Sequence, residues 1–245
     1  MWHDANVLKV VLFDLDDTLV DQEGASRAAL LDWLPELGLD LDDPDELVTA
    51  WGSIAEEAYG RYQRREITFA EQRRVRVREF LGADASADEA DELFSGYLSR
   101  YEQAWTVFDD AVPALRRVRD AGLVVALLTN GDSAHQRLKL DRTGLTEHLD
   151  VVVSSDDLPA GKPDPRAYAV TCELLGVAPG DVLMVGNDVE KDYQGPLDAG
   201  LGALLLDRED RHPEVADRIR TLDEVPPAGP VLGASTSHAG AWPTG

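Results

Sequence analysis

The stretch VVLFDLDDTL, residues 10–19, sets an apolar run directly against Asp14, Asp16 and Asp17 and closes with Thr18. Side chains at i and i+2 share a face of an extended chain, so Asp14 and Asp16 point the same way. Like charges that close repel by about 1 kcal/mol per pair even in water, unless something positive stands between them. Such a stretch is either a solvated acidic turn or a buried strand whose carboxyl end opens on a site that takes a cation.

The rest of the chain decides for the strand. Five short apolar runs recur, at Val7–Phe13, Leu123–Leu128, Leu149–Val153, Val182–Val185 and Ala203–Leu206. They are rich in Val and Leu and nearly continuous, the pattern of strands buried on both faces. Helical segments separate the last four. Ser133–Thr143 stops before Gly144, Pro165–Leu175 has proline at its start and Gly176 past its end, and Tyr193–Ala199 stops at Gly200. Strands alternating with helices predict an α/β fold, a doubly wound Rossmann-like parallel sheet.

Between the first and second runs lie roughly 90 residues, far more than the dozen or so of an ordinary crossover. Their pattern is helical. Thr68–Glu71 and Ser86–Glu89 read as capping boxes, and Pro44 behind Asp43 as a helix start. Leu47, Trp51, Ile54 and Ala58 follow a helical period, as do Leu93, Phe94, Tyr97, Leu98 and Tyr101. A helical unit over 20–105 is therefore inserted into an α/β core of 1–19 and 106–225, with a returning helix at Asp110–Ala121. Residues 226–245, rich in Pro, Gly, Ser and Ala, read as a disordered tail, with Trp242 an incidental aromatic.

The chain has 245 residues, 44% of them apolar, and a formal charge of −24, which disfavours nucleic acid and anionic membranes as partners. A polyanionic substrate must then meet local positive groups or a metal. The lone Cys172 cannot form an internal disulfide. No signal peptide is evident and no apolar stretch approaches the roughly 20 residues of a membrane helix, so a soluble, cytoplasmic protein is expected.

Ligands of open parallel sheets bind beyond the carboxyl ends of the strands. The segments found there are Asp14–Thr18, Thr129-Asn130-Gly131, the loop holding Gly161-Lys162-Pro163, and Gly186-Asn187-Asp188 followed by Asp192. Carboxylates without His or Cys suit a hard cation of the Mg²⁺ type. A hydroxyl, a lysine and a glycine turn suit an oxyanion such as phosphate. Together they can carry phosphoryl transfer through an aspartyl-phosphate.

The D-x-D-x-T of 14–18, Thr129-Asn130, Lys162 and the acidic G-N-D-x-x-x-D of 186–192 resemble, in order, the four motifs of the haloacid dehalogenase superfamily. The helical insertion resembles that family's α-helical cap. The resemblance covers about residues 7–207. It implies Asp14 as nucleophile, Asp16 as general acid–base, and phosphate contacts from Thr18, Thr129, Asn130 and Lys162. It also implies a Mg²⁺ cofactor near Asp14, Asp16, Asp188, Asn187 and Asp192, with a small phosphorylated metabolite as substrate. Relatives that cleave carbon–halogen bonds lack a carboxylate at the position of Asp16, because a halide needs no proton to leave and an alkoxide does. The resemblance therefore favours a phosphatase; a phosphosugar mutase, or a catalytically weak phosphate- or metal-binding protein, would share the same residues. Where relatives read Gly-Asp, this chain has Gly186-Asn187-Asp188, and Asp188 is the expected substitute ligand.

Several features have plainer readings. Asp17 reads as a solvated or capping residue, and Asp188 and Asp192 as acids that a helix start also favours. Seven arginines between Arg61 and Arg78 read as a solvated face partnered by Glu66, Glu71 and Glu79, the alternative being that one or two select an anionic substrate. Trp33, Trp51, Tyr59 and Tyr62 are expected in the core of the insertion, His135 on the surface, and Cys172 packed against the sheet.

Overall fold

The computed structural model describes residues 8–39 and 43–226. The tail from 227 onward, Trp242 and the start of the first expected strand lie outside them. Among the described residues, six strands form one sheet, all parallel: β1 Val10–Phe13, β2 Val124–Thr129, β3 Val151–Ser154, β4 Val182–Gly186, β5 Gly202–Leu206 and β6 Arg218–Ile219. Their spatial order is β3-β2-β1-β4-β5-β6, which puts β1 in the interior and reverses the winding between β1 and β4. That reversal opens a crevice at the carboxyl end of β1, where an α/β sheet binds ligands. The last strand is absent from the apolar pattern because it has two residues, one of them Arg218, and only extends an edge through Leu205↔Arg218 and Leu206↔Ile219.

Alternation along β1 divides the core. Val11 and Phe13 join one cluster with Ala111, Ala114, Leu115 and Val118 of the helix Ala111–Asp120. Val10 and Leu12 join another with Ala167, Tyr168 and Cys172 of the helix Pro165–Leu175. Cys172 is buried there, and burial pushes its thiol up to about 11, far from a nucleophile's range.

Among the described residues, the inserted segment contains four α-helices, α1 Gln22–Trp33, α2 Pro44–Gln63, α3 Phe69–Leu81 and α4 Ala87–Gln103. The α-helices outside it, among the described residues, are α5 Ala111–Asp120, α6 Ser133–Thr143, α7 Pro165–Leu175 and the short α8 Gly195–Asp198. Each inserted helix starts on a side-chain cap from Asp21, Asp43, Thr68 or Ser86. The Ser86–Glu89 box is complete, whereas Glu71 leaves its half of the Thr68 box to bind Arg74 and Arg78. Trp33, Trp51, Phe94 and Tyr97 pack at the centre, with Trp51 and Tyr97 ring centroids 4.7 Å apart. Their cluster is continuous with the sheet face that holds Phe13. Among the described residues, no helix is long and apolar enough to cross a membrane.

Two expectations for the insertion are revised. Arg74 and Arg78 pair with acids as a solvated face does, but Arg73 lies 4.3 Å from the Phe69 ring centroid and Arg76 lies 4.5 Å from that of Trp51. Tyr59 and Tyr62 leave the insertion core and donate their hydroxyls to Asn130 O at 3.0 Å and Asp156 Oδ1 at 3.1 Å.

The two passages between insertion and sheet run side by side. Val20 bridges Asp16 on one side and Val107 on the other, Asp21 N donates to Thr106 O, and Phe108 N donates to Leu19 O, both at 3.0 Å.

Candidate active site

Asp14 is the first residue past β1, and its N–H donates to Val185 O of β4 at 2.9 Å. The nucleophile candidate is thus fixed at the crevice by the sheet's own ladder. Its side chain is buried, with Oδ1 accepting from Lys162 Nζ at 2.7 Å and Oδ2 accepting from Thr18 Oγ1 at 3.3 Å. Lys162, 4% exposed, donates also to Asp192 Oδ1 at 2.6 Å. Asp192 in turn takes the Asp188 N–H on Oδ2 at 3.1 Å. One ammonium therefore serves two buried carboxylates. Burial pushes the Asp14 carboxyl up to about 7; Lys162 opposes the rise, while Asp192 and Asp16 add to it. Burial by itself would lower the Lys162 ammonium, but Asp14 and then Asp192 outweigh it and keep the lysine charged.

The loop carrying Lys162 is held by Asn130, whose Nδ2 donates to Lys162 O at 2.7 Å while its Oδ1 accepts from Lys162 N at 2.9 Å. Both ends of that amide serve the loop; Thr129, one residue earlier, keeps its hydroxyl at the crevice. Thr129 Oγ1 accepts from Gln136 Nε2 at 2.8 Å, and the same amide donates to Asp16 Oδ2 at 3.0 Å.

The fourth expected segment divides its residues. Asn187 turns its Oδ1 to Thr18 Oγ1 at 3.2 Å, the hydroxyl that also reaches Asp14. Asp188 is engaged elsewhere: Oδ1 accepts from Glu190 N and Lys191 N, at 3.0 and 2.8 Å, and Oδ2 meets Lys191 Nζ at 2.5 Å. Asp188 caps the short helical segment beginning at Val189, while Asn187 faces the nucleophile. Asp17 also caps, accepting Glu23 N–H on Oδ1 at 2.7 Å.

Sequence reading missed Gln136 and Lys139 of α6. They stand three apart and so share a helix face, and that face turns toward Asp16. Lys139 is 1% exposed, its ammonium paired with Asp16 Oδ1 and hydrogen-bonded to Tyr101 Oη at 3.2 Å. His135, expected on the surface, is instead packed beside Tyr101, Trp105 and Phe69, with ring centroids 5.5–6.3 Å away. Burial depresses its pKa to about 3, with Lys139 and Arg73 lowering it further.

Among the described residues, no three His, Cys, Asp or Glu side chains form a ready-made metal cluster. The donors near Asp14 are of another make-up: its own carboxylate and the Asn187 amide oxygen, joined through the Thr18 hydroxyl. All are hard oxygens, beside a buried site with one cation for two acids, and such a set fits a divalent cation of the Mg²⁺ type.

Comparison with known proteins gives the family. A family model described as haloacid dehalogenase-like hydrolase matches residues 8–200. The N-acylneuraminate-9-phosphatase of Homo sapiens is 31% identical over 204 residues, covering 81% of this chain and 82% of that protein. The phosphoserine phosphatase of Thermus thermophilus is 32% identical over 239 residues, covering 88% and 96%. The HAD-hydrolase YfnB of Bacillus subtilis, solved bound to magnesium, superposes with a TM-score of 0.71 at 21% identity, covering 89% of this chain and 96% of that one.

Proposed function

The chain belongs to the haloacid dehalogenase-like hydrolases and hydrolyses phosphoric esters, and from that premise we propose that it cleaves a small phosphomonoester through a phospho-Asp14 intermediate with Mg²⁺ as cofactor. The observation that carries this reading is the Asp14 carboxylate, held between Lys162 Nζ and Thr18 Oγ1 with Asp16 two residues on.

In the first half-reaction an Asp14 oxygen attacks phosphorus as the ester P–O bond breaks, and Asp16 gives its proton to the leaving alkoxide. In the second, Asp16 takes a proton from water. The water oxygen bonds to phosphorus, the bond to Asp14 breaks, and inorganic phosphate leaves. Lys162 and the Thr129 and Thr18 hydroxyls meet the charge on the phosphoryl oxygens, the kind of preorganised stabilisation that contributes most in a dry site. Bound Mg²⁺ would add positive charge between nucleophile and phosphate. Asp14, the Asp16 carbonyl and Asn187 would hold it, which moves the role first given to Asp188 to Asn187, while Asp192 acts through Lys162.

Residues 20–105 serve as a cap over the core of 1–19 and 106–225. Tyr59 and Tyr62 tie them to the loops after β2 and β3, and Arg65 Nη2 donates to Leu158 O at 2.8 Å. The approach is close: a Cβ on Gly161 would lie 2.5 Å from Gln63 Oε1 of α2. Such closure excludes water and limits the substrate to a small molecule. Asp16 favours ester cleavage over dehalogenation.

Turnover of p-nitrophenyl phosphate with and without EDTA tests the reading. Activity is expected to need added Mg²⁺ and to vanish in Asp14→Asn; turnover that survives Asp14→Asn would overturn the mechanism.

A further inference from the structure

We propose that Arg73 selects the substrate by its far end: the phosphomonoester cleaved here carries a carboxylate, which the Arg73 guanidinium takes in the seam between α3 and α6. The proposal rests on the phosphatase reading and adds the class of ester. It begins from an imbalance in a chain with 47 acids. Of the arginines between 61 and 78, Arg61 and Arg64 meet Glu66, Arg65 donates to Leu158 O, and Arg74 and Arg78 meet Glu71. Among the described residues, Arg73 and Arg76 meet no acid and no carbonyl; they meet aromatic faces.

Positions 73 and 76 stand three apart and share one face of α3, whereas 74 and 78 share another. Both unpaired guanidiniums stand over the Phe94 ring, at 5.4 and 5.3 Å, and Arg73 lies also 4.3 Å from the Phe69 centroid. Burial is the main force pulling the Arg73 guanidinium below its ordinary range; Asp132 and Glu102 oppose it, and Arg76 adds to it. The neighbours are incomplete too. Arg76 Nε and His135 Nε2 are buried with no hydrogen-bond partner among the described residues, and the His135 ring centroid lies 5.8 Å from that of Phe69. Native folds leave few buried polar groups unmatched, and what this cluster of donors lacks is an acceptor.

The seam leads to the crevice. From Phe69, the ring under Arg73, Tyr62 and then Tyr59 follow at centroid steps of 5.3 and 5.5 Å, and Tyr59 Oη donates to Asn130 O beside the Lys162 loop. An ester whose phosphate sits at Asp14 can extend along this wall to Arg73. Its far group is a carboxylate rather than a second phosphate. A guanidinium matches a carboxylate fork to fork. Glu102 is paired with Arg142, so Arg73, Arg76 and Arg142 against Asp132 and Glu102 leave one positive charge, enough for a monoanion and too little for a dianion.

The test is kcat and KM, with Mg²⁺ added, for matched esters that differ by the carboxylate: phosphoglycolate against 2-hydroxyethyl phosphate, 3-phosphoglycerate against glycerol 3-phosphate, and O-phosphoserine against O-phosphoethanolamine. Glycerol 1,3-bisphosphate and p-nitrophenyl phosphate complete the set. Wild type should favour the carboxylate member of at least one pair in kcat/KM by about 30-fold or more, within the range of a charge-assisted hydrogen-bonded contact. In Arg73→Met the loss on that carboxylate should exceed the loss on p-nitrophenyl phosphate by about 30-fold, chiefly through KM. Arg73→Lys, which keeps the charge without the fork, should fall between.

A wild type with no carboxylate preference, one that prefers the bisphosphate, or an Arg73→Met loss equal on all esters overturns the proposal. Should Arg73→Met not fold, Arg73→Gln carries the same prediction and the same refutation. Wild type inactive on every ester, p-nitrophenyl phosphate included, sinks the phosphatase reading instead, so the two failures are separable.

Discussion

Replacing Lys162 with Met removes the ammonium that Asp14 and Asp192 share, while keeping a side chain of similar length. Lys162 Nζ stands 2.7 Å from Asp14 Oδ1 and 2.6 Å from Asp192 Oδ1, with the lysine 4% and Asp192 1% exposed. Removing one partner of a buried ion pair costs about 3–5 kcal/mol, because the remaining charge stays out of water. For a chain of this size that is a fall in Tm of roughly 6–20 °C. The cost depends on pH. A carboxyl whose folded pKa is raised contributes stability at low pH and loses it as pH rises through that pKa. Asp14 already titrates at about 7 with the lysine present, and losing the lysine moves it higher. The deficit should therefore be larger at pH 8, where both carboxylates are stranded, than at pH 5, where Asp14 is neutral. Urea denaturation in EDTA, at both pH values, measures it. Adding Asp192→Asn to Lys162→Met removes one of the stranded charges and should return about half of the loss, roughly 2 kcal/mol. A Lys162→Met variant that loses under about 1 kcal/mol at pH 8, or a double variant weaker than the single, would refute the shared-ammonium account.

Gly186→Ala places a Cβ 2.4 Å from Asp192 Cγ, so Asp192 and with it Lys162 must shift; stability should fall by about 1–3 kcal/mol in urea, with phosphatase activity down at least about tenfold. Magnesium titrations of Asn187→Ala and Asp188→Ala should differ. The first should raise the half-saturating concentration by about tenfold or more, whereas the second should lose a helix cap of about 1 kcal/mol without that shift. Because His135 titrates at about 3 when folded, its ordinary protonation near 6.5 in the unfolded chain drains stability as pH falls through that window. His135→Gln should lose about 2 kcal/mol less than wild type between pH 7 and pH 5 by urea denaturation, and equal slopes would remove the histidine from the account.

The sheet was legible because β1, β2, β4 and β5 are buried on both faces, which leaves near-continuous Val and Leu in the sequence and little else to read them as. Helix ends such as Gly144, Gly176 and Ser86 were legible because caps and left-handed glycines are local chemistry. Asp14, Thr129 and Lys162 stood out through their places after strands. Gln136 and Lys139 did not, since a lysine in a helix of mixed polarity ordinarily faces water, and only the fold reveals the carboxylate opposite it. The preference between Asn187 and Asp188 was likewise hidden: adjacent residues point in different directions, and the backbone at Gly186 decides which of them meets Thr18. Tyr59 and Tyr62 misled because aromatic residues at helical spacing suit a core, while their hydroxyls seek acceptors on the neighbouring loops.

The paired passages at Val20 and Val107 make the insertion a closed excursion from the sheet. It leaves and returns through two hydrogen-bonded segments, so its end-to-end distance is nearly nil whatever lies between. Closing a longer excursion costs slowly, about 0.6 kcal/mol for each doubling of length. Helices beyond Val20 can therefore be exchanged without disturbing the register of β1 against β2 and β4. Insertion and sheet are free to evolve at different rates, joined by a ribbon that begins two residues from Asp14.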